Sequence, residues 1–255
     1  MDQATFRAYA AHASEIARRH AAARSPQGGV ERHIARAFEP DDRIQDIGSG
    51  AGGDLAILVS ERHQAYGVEP VAEMRTEAVR AHPELSGRLF EGSLPDDMPD
   101  LTGLGGPFDG VLCSAVLQHL PRAALFDAVF SLRRLLRSGG RALISIPTRR
   151  DDLDEEGRDP FGRYFSGVQA GELELLCQRA GFRTLGRWED EDSLGRSRVQ
   201  WATLLFELPC TRRKSGGDSE DPVEASPRPL DRIEAVLRRD RKVATYKLAL
   251  LRALT

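Results

Sequence analysis

Ile44-Gln45-Asp46-Ile47-Gly48-Ser49-Gly50-Ala51-Gly52-Gly53-Asp54-Leu55-Ala56-Ile57-Leu58 decides how this chain is read. A short apolar strand runs into a glycine turn, and the turn opens a helix. Gly48, Gly50 and Gly53 stand in the G-x-G-x-x-G spacing. There glycine permits a tight turn of positive φ and lets a ligand lie directly against the backbone. Asp54 falls in the first turn of the helix, where the macrodipole favours an acid. Glu69 follows 21 residues after Gly48, at the end of the next apolar run. That spacing puts a carboxylate at the carboxyl edge of a sheet beside the glycine loop, where it can accept hydrogen bonds from both hydroxyls of a ribose.

Asp46 narrows the ligand. A carboxylate at this strand end repels a pyrophosphate and attracts a cation. S-adenosylmethionine carries a sulfonium and an ammonium, so an acid here suits it and is awkward for a nicotinamide dinucleotide.

Working outward, strands and helices alternate. Arg43–Ile47, Ala65–Glu69, Gly87–Gly92, Phe108–Ser114 and Gly140–Pro147 read as strands, with helices from Gly53, over 71–81 and over 122–136 between them. Such alternation predicts a parallel sheet with helices on both faces. Ahead of it, residues 2–24 have helical spacing, with Phe6, Tyr9, Ala13, Ile16 and Ala17 on one side, and 30–38 reads as a second short helix. After Pro147 the run 148–166 is polar and holds Gly157, Pro160 and Gly162, the pattern of a long loop or lid. A helix over 173–180 follows, and the runs 182–188 and 199–207 are expected to pair as an antiparallel hairpin.

Composition limits the classes. The 255 residues are 40% hydrophobic and carry a formal charge of −3, which suits a soluble globule and neither implies nor excludes a nucleic-acid partner. The three cysteines, Cys113, Cys177 and Cys210, form no C-x-x-C or Cys/His cluster, so no metal site and no disulfide framework is expected. With no long apolar run and no leader pattern, the expectation is a cytoplasmic protein without a membrane partner.

Residues 211–229 are nearly devoid of apolar side chains and read as a flexible linker. Residues 230–255 place Ile233, Val236, Leu237, Val243, Tyr246, Leu250 and Leu251 at roughly helical spacing among basic residues. The last 45 residues hold 11 Lys/Arg against 7 Asp/Glu, a charge of +4, which leaves −7 of the total −3 on residues 1–210. The expected division is therefore N-terminal cap helices over 1–40, the α/β domain over 41–210, a linker over 211–229 and a basic amphipathic helical tail over 230–255. An apolar helical face at such an end is expected to dock on the domain, to dimerise, or to join a longer chain or partner.

Four blocks together, Asp46-Ile47-Gly48-Ser49-Gly50-Ala51-Gly52, Gly67-Val68-Glu69-Pro70, Phe108 through Pro121, and Leu135 through Arg141, resemble the class I S-adenosylmethionine-dependent methyltransferases. The resemblance covers about residues 40–208. It implies a Rossmann-like α/β fold with a seven-stranded sheet of order 3-2-1-4-5-7-6, mostly parallel with the last strand antiparallel, and helices on both faces. It also implies S-adenosylmethionine as cofactor. Carried over, Asp46, Gly48 and Gly50 line the methionine end and Glu69 holds the ribose. Ser49, Gly52, Pro70 and Leu94, on the same segments, are assigned to the cofactor with them. Met74 or Val71 packs beside the adenine, and Ser114, Ala115 and Gln118 line the sulfonium. Many relatives have an aspartate contacting the adenine amine after the third strand; here Ser93 stands there and can still accept a hydrogen bond.

The catalytic candidates are His119, as a general base, and Tyr164, as a wall of the acceptor pocket beside Phe161 and Phe165; Tyr9 and His12 are candidate caps from the N-terminal helix. The expected reaction is methyl transfer to an O or N nucleophile of a small molecule. An RNA or nucleotide acceptor guided by the basic tail, and a non-catalytic S-adenosylmethionine-binding module, stand as the alternatives. No Asn/Asp-Pro-Pro-Tyr/Phe stretch follows the fourth strand and no Pro-Cys is placed to attack a pyrimidine, which weighs against amino-directed DNA methylation and cysteine-dependent ring methylation.

Overall fold

The computed structural model describes residues 2–22, 29–100, 103 and 107–210. These fall within one compact unit, Met1–Thr211. The expected linker (211–229) and basic tail helix (230–255) lie outside the described residues.

Seven strands, β1 (Arg43–Ile47), β2 (Gln64–Val68), β3 (Leu89–Phe90), β4 (Phe108–Ser114), β5 (Leu136–Arg150), β6 (Arg183–Glu191) and β7 (Val199–Glu207), form one sheet of order β3-β2-β1-β4-β5-β7-β6. β1 to β5 pair in parallel, and β7 runs antiparallel to both neighbours. Period-two alternation sends side chains to opposite faces, and both faces are buried. Ile47, Val111, Cys113, Ile144 and Leu204 pack on one face with α5 (Leu125–Leu135) and α6 (Ala170–Arg179). Ile44, Leu112, Leu143 and Leu205 pack on the other with α2 (Ile34–Ala37) and α3 (Gly53–Ser60). α1 (Gln3–Ala22) lays Ala13 and Ile16 on Val71 and on Met74 of α4 (Ala72–Ala81).

Several elements differ in extent from the sequence reading. The first helix ends at Ala22 rather than running to Arg24; 23–28 lie outside the described residues. The expected single helix over 30–38 is a 3-10 turn, Val30–His33, followed by α2. β3 shrinks to Leu89–Phe90, both half-buried, because only two of its residues find partners on β2. The helix expected over 122–136 opens instead on a 3-10 turn, with its α part over Leu125–Leu135. β5 is longer than 140–147: pairing with β7 carries it to Arg150, so the loop after it is shorter than the sequence suggested. β6 likewise continues past Trp188 to Glu191, held by β7 through Asp190↔Trp201 and Glu191↔Gln200.

Candidate functional site

The carboxyl edge of β1, β2 and β4 carries the glycine loop. Gly48 has φ +67°, and a Cβ there would lie 2.4 Å from Val116 Cγ2, so the loop after β4 approaches the backbone as only glycine allows. Gly52 (φ +79°) performs a different task, since a Cβ on it would meet Ala78 of α4 at 2.9 Å. Glu69 is 6% exposed; one carboxylate oxygen accepts from Gly50 N and the other from Val71 N, each at 2.9 Å. Its carboxyl is raised above the ordinary range by burial, an effect those two backbone donors oppose. The carboxylate is thus fixed at the loop, with lone pairs left over for further donors.

One cavity of about 290 Å³ opens here and runs along the sheet edge. It brings together Gly48, Ser49, Gly50, Glu69, Pro70, Met74, Ser93, Leu94, Ser114, Ala115, Gln118 and His119 from among the sequence candidates. Asp46, Gly52 and the ring of Tyr164 are not in its lining. Asp46 lies beneath the loop, 2% exposed, with Oδ2 unpaired. Burial pushes its carboxyl well above the ordinary range, and Asp54 and Glu69 add to that. Ser49 Oγ and Gln118 Oε1 are also buried without a hydrogen-bond partner. A cradle with a fixed carboxylate, close-approach glycines and unpaired buried polar atoms fits a nucleoside ligand bearing positive charge.

The loop after β4 carries strain at the site: Ala115 has φ +57°, held by its N–H donating to Ser145 O at 3.0 Å. His119, 5% exposed, stands at the end of the 3-10 turn that follows, Leu117–His119. Its Nδ1 lies 2.6 Å from Tyr164 O, so Nδ1 is the donor, and Nε2 accepts from Tyr9 Oη at 3.0 Å. Burial pushes its pKa down to about 4. The imidazole is therefore neutral at pH 7 with both nitrogens engaged. Tyr164 enters the site through its backbone carbonyl. Its N–H donates to Thr5 Oγ1 at 2.8 Å, which ties the loop after β5 to α1, and its ring lies beside Arg158.

Sequence reasoning missed Arg163, Arg150 and the far wall. Arg163 donates Nε and Nη2 to Asp159 Oδ2 (2.8 and 2.5 Å) and sets its guanidinium 5.2 Å from the Tyr9 ring centroid. Arg150 lies 4.1 Å over Phe165 and pairs with Asp152. Asp190, Asp192, Trp201 and Thr203 line the cavity at the β6–β7 end. Asp190 accepts from His33 Nε2 at 3.0 and 3.1 Å and from Thr203 Oγ1 at 2.6 Å. Only the strand register brings these residues to the edge, and no local spacing announces it. His12 stands against Phe161, outside the lining. Among the described residues no three His, Cys, Asp or Glu side chains are grouped to hold a metal ion, and no helix is long and apolar enough to cross a membrane.

Protein-L-isoaspartate O-methyltransferases match the chain: that of Methylorubrum populi is 30% identical over 115 residues (44% of this chain, 48% of that protein), and that of Nitrosomonas eutropha 27% over 99 residues (39% and 44%). The chain thus spans just under half the length of these curated relatives. Its fold matches Burkholderia thailandensis 1,6-didemethyltoxoflavin-N1-methyltransferase, solved with S-adenosylhomocysteine bound, at TM-score 0.61 and 18% identity over 80% of this chain and 85% of that one. It also matches a TehB-like SAM-dependent methyltransferase from Corynebacterium glutamicum at TM-score 0.56 and 21% identity, over 77% and 97%. A domain of unknown function, DUF8808, matches residues 226–255, within the segment outside the described residues. A methyltransferase domain model matches residues 17–185, more than half of the chain. With the seven-stranded sheet of order 3-2-1-4-5-7-6, these findings establish that the chain belongs to the methyltransferase domain family and has the Rossmann-like methyltransferase fold.

Proposed function

We propose that this protein binds S-adenosylmethionine along the edge of β1, β2 and β4 and methylates a small-molecule acceptor held between α1, the loop after β5 and the β6–β7 edge. The observation that carries the reading is the buried Glu69 carboxylate locked onto Gly50 N in a cavity that continues past the β4 loop. When bound, S-adenosylmethionine supplies an electrophilic methyl group on a sulfonium. Glu69 accepts hydrogen bonds from the ribose hydroxyls. Met74 and Leu94 pack at the adenine, and Ser93 offers it a hydrogen bond. Ser114, Ala115 and Gln118 border the methyl, and Asp46 lies under the loop, where burial favours its neutral form and a cation bound above it would favour the ionised one. Gly48, Ser49, Gly50 and Pro70 shape the floor, and Gly52 lets the loop close on Ala78 of α4 beneath it.

Such a reaction asks the protein to align a nucleophile in line with the methyl and to exclude water. α1 supplies the roof: Tyr9 lines the cavity and is hydrogen-bonded to His119. With its pKa near 4 and both nitrogens engaged, His119 serves better to orient the Tyr9 hydroxyl than to deprotonate an acceptor. An isoaspartyl side chain, suggested by the names of the curated relatives, is the second acceptor class. The nucleic-acid alternative rests on the basic charge of residues 230–255, which lie outside the described residues.

The test is calorimetric titration with S-adenosylmethionine and S-adenosylhomocysteine. Hydrogen bonds to a charged acceptor contribute about 1.5–3 kcal/mol each, so Glu69→Ala is expected to weaken both ligands at least tenfold. Unchanged affinity in a variant whose circular dichroism remains native would overturn the cofactor assignment.

A further inference from the structure

We propose that Asp46 distinguishes the methyl donor from the spent product by exchanging a proton: its carboxyl ionises when S-adenosylmethionine binds and stays largely protonated under S-adenosylhomocysteine. This deepens the S-adenosylmethionine reading and rests on it. Asp46 is the fourth residue of β1, opposite Gly67 of β2 and Leu112 of β4. The next residue, Ile47, and the loop residues Gly48, Ser49 and Gly50 line the cavity, so the carboxyl belongs to the layer under the cradle.

The two acids of the cradle are treated differently by the fold. Glu69 has each oxygen paired with a backbone N–H, from Gly50 and from Val71. Asp46 is 2% exposed, and its Oδ2 is buried without a hydrogen-bond partner. The charged groups that act on it are Asp54 of α3 and Glu69 at the end of β2, both acids, while the neighbouring Cys113 thiol on β4 is kept neutral by its own burial. A carboxylate shut off from water, short of donors and surrounded by acids loses more solvation than it regains, so the neutral form is preferred in the empty cradle.

A cation in the cradle reverses that preference, because it supplies the counter-charge that the protein withholds. The two ligands differ in this respect. Both carry an ammonium, but only the donor adds a sulfonium; in the product the sulfur is a neutral thioether. Asp46 therefore meets a larger positive charge under the donor, and its ionised form is favoured most there.

The proton balance follows. On donor binding one proton passes from Asp46 to solvent. When the C–S bond breaks, its electron pair remains on sulfur, the positive charge there is lost, and the Asp46 carboxylate recovers a proton from solvent. Binding that releases a proton strengthens as pH rises, so the donor gains on the product with rising pH until Asp46 is already ionised in the free protein.

The experiment titrates the full chain calorimetrically with each ligand near pH 6, in two buffers of unlike ionisation enthalpy, so that the difference in heat counts the protons released. The amino groups of both ligands are protonated there, and any release from Glu69 at the ribose is common to both. S-adenosylmethionine is expected to release about half a proton or more beyond S-adenosylhomocysteine, and the ratio of their affinities is expected to move about threefold or more in the donor's favour between about pH 5.5 and 7.5. In Asp46→Asn, which keeps the shape and cannot ionise, both the extra proton and the movement of the ratio are expected to vanish while both ligands still bind. Equal proton counts for the two ligands on the wild-type chain overturn the proposal whether or not the variant folds, and so does an undiminished difference in Asp46→Asn; in either case the cofactor reading stands. Failure of both ligands to bind the wild-type chain overturns the cofactor reading first.

Discussion

His119 shows how burial changes what a residue can do. Its unfolded-state pKa is near 6.5 and its folded value is pushed down to about 4, so as pH falls the unfolded chain takes up the proton first. The associated stability is complete above pH 6.5 and is lost as pH falls toward 4. Between pH 7 and 4.5 this is about 2–3 kcal/mol. Asp46 and Glu69 work in the opposite sense, because their raised carboxyls favour the folded state as pH falls. The contribution of the histidine is therefore isolated as a difference: His119→Gln is expected to narrow the urea-midpoint gap between pH 7 and 4.5 relative to wild type. A gap unchanged by the substitution would show that His119 titrates near its ordinary value. Residues such as Gly48, Glu69 and Ser114 were legible in the sequence because each stands at a fixed offset from a strand end. The protonation state of His119 was not, since it depends on Tyr9 and on the Tyr164 carbonyl, 110 and 45 residues away in sequence.

At the scale of elements, α1 and the loop after β5 act together as the roof. Thr5 is fully buried; its hydroxyl donates to Asp2 Oδ2 at 2.5 Å and accepts from Tyr164 N at 2.8 Å. Asp2 also pairs with Arg158 at 3.2 Å, and Asp159 accepts from the N–H groups of Phe161 and Arg163, which folds the loop on itself. Thr5→Val keeps the volume and leaves a buried N–H unpaired, a loss of about 1–3 kcal/mol. Hydrogen exchange at the Tyr164 amide is expected to accelerate and Tm to fall by about 2–10 °C. Exchange as slow as in wild type would mean that the loop holds without α1. The strand and helix order was legible because both faces of a parallel sheet demand apolar runs separated by helical ones. Strand ends were less so: β5 and β6 extend through charged segments, Arg149-Arg150 and Glu189-Asp190-Glu191, whose pairing with β7 overrides their polarity. For the same reason the acid-lined wall at Asp190 could not be read from its local sequence.

On the scale of the whole molecule, the question is how much chain the site needs. All cavity-lining residues lie at or before Thr203, and β7 ends at Glu207. Leu208 then extends the β5–β7 pairing, its N–H donating to Gly140 O at 2.8 Å and its carbonyl accepting from Gly139 N at 2.7 Å. Two hydrophobic clusters cover both sheet faces with residues no later than Phe206, apart from Leu208 packed against one of them. Residues 1–210 are thus expected to fold alone, with a single cooperative unfolding transition and S-adenosylhomocysteine affinity within twofold of the full chain. Removing 211–255 takes the formal charge from −3 to −7, so any contribution of that segment to polyanion binding is expected to disappear along with its salt dependence. A truncated chain that loses tenfold or more in cofactor affinity would place residues 211–255 inside the working unit, and the division at 210 would then have to move.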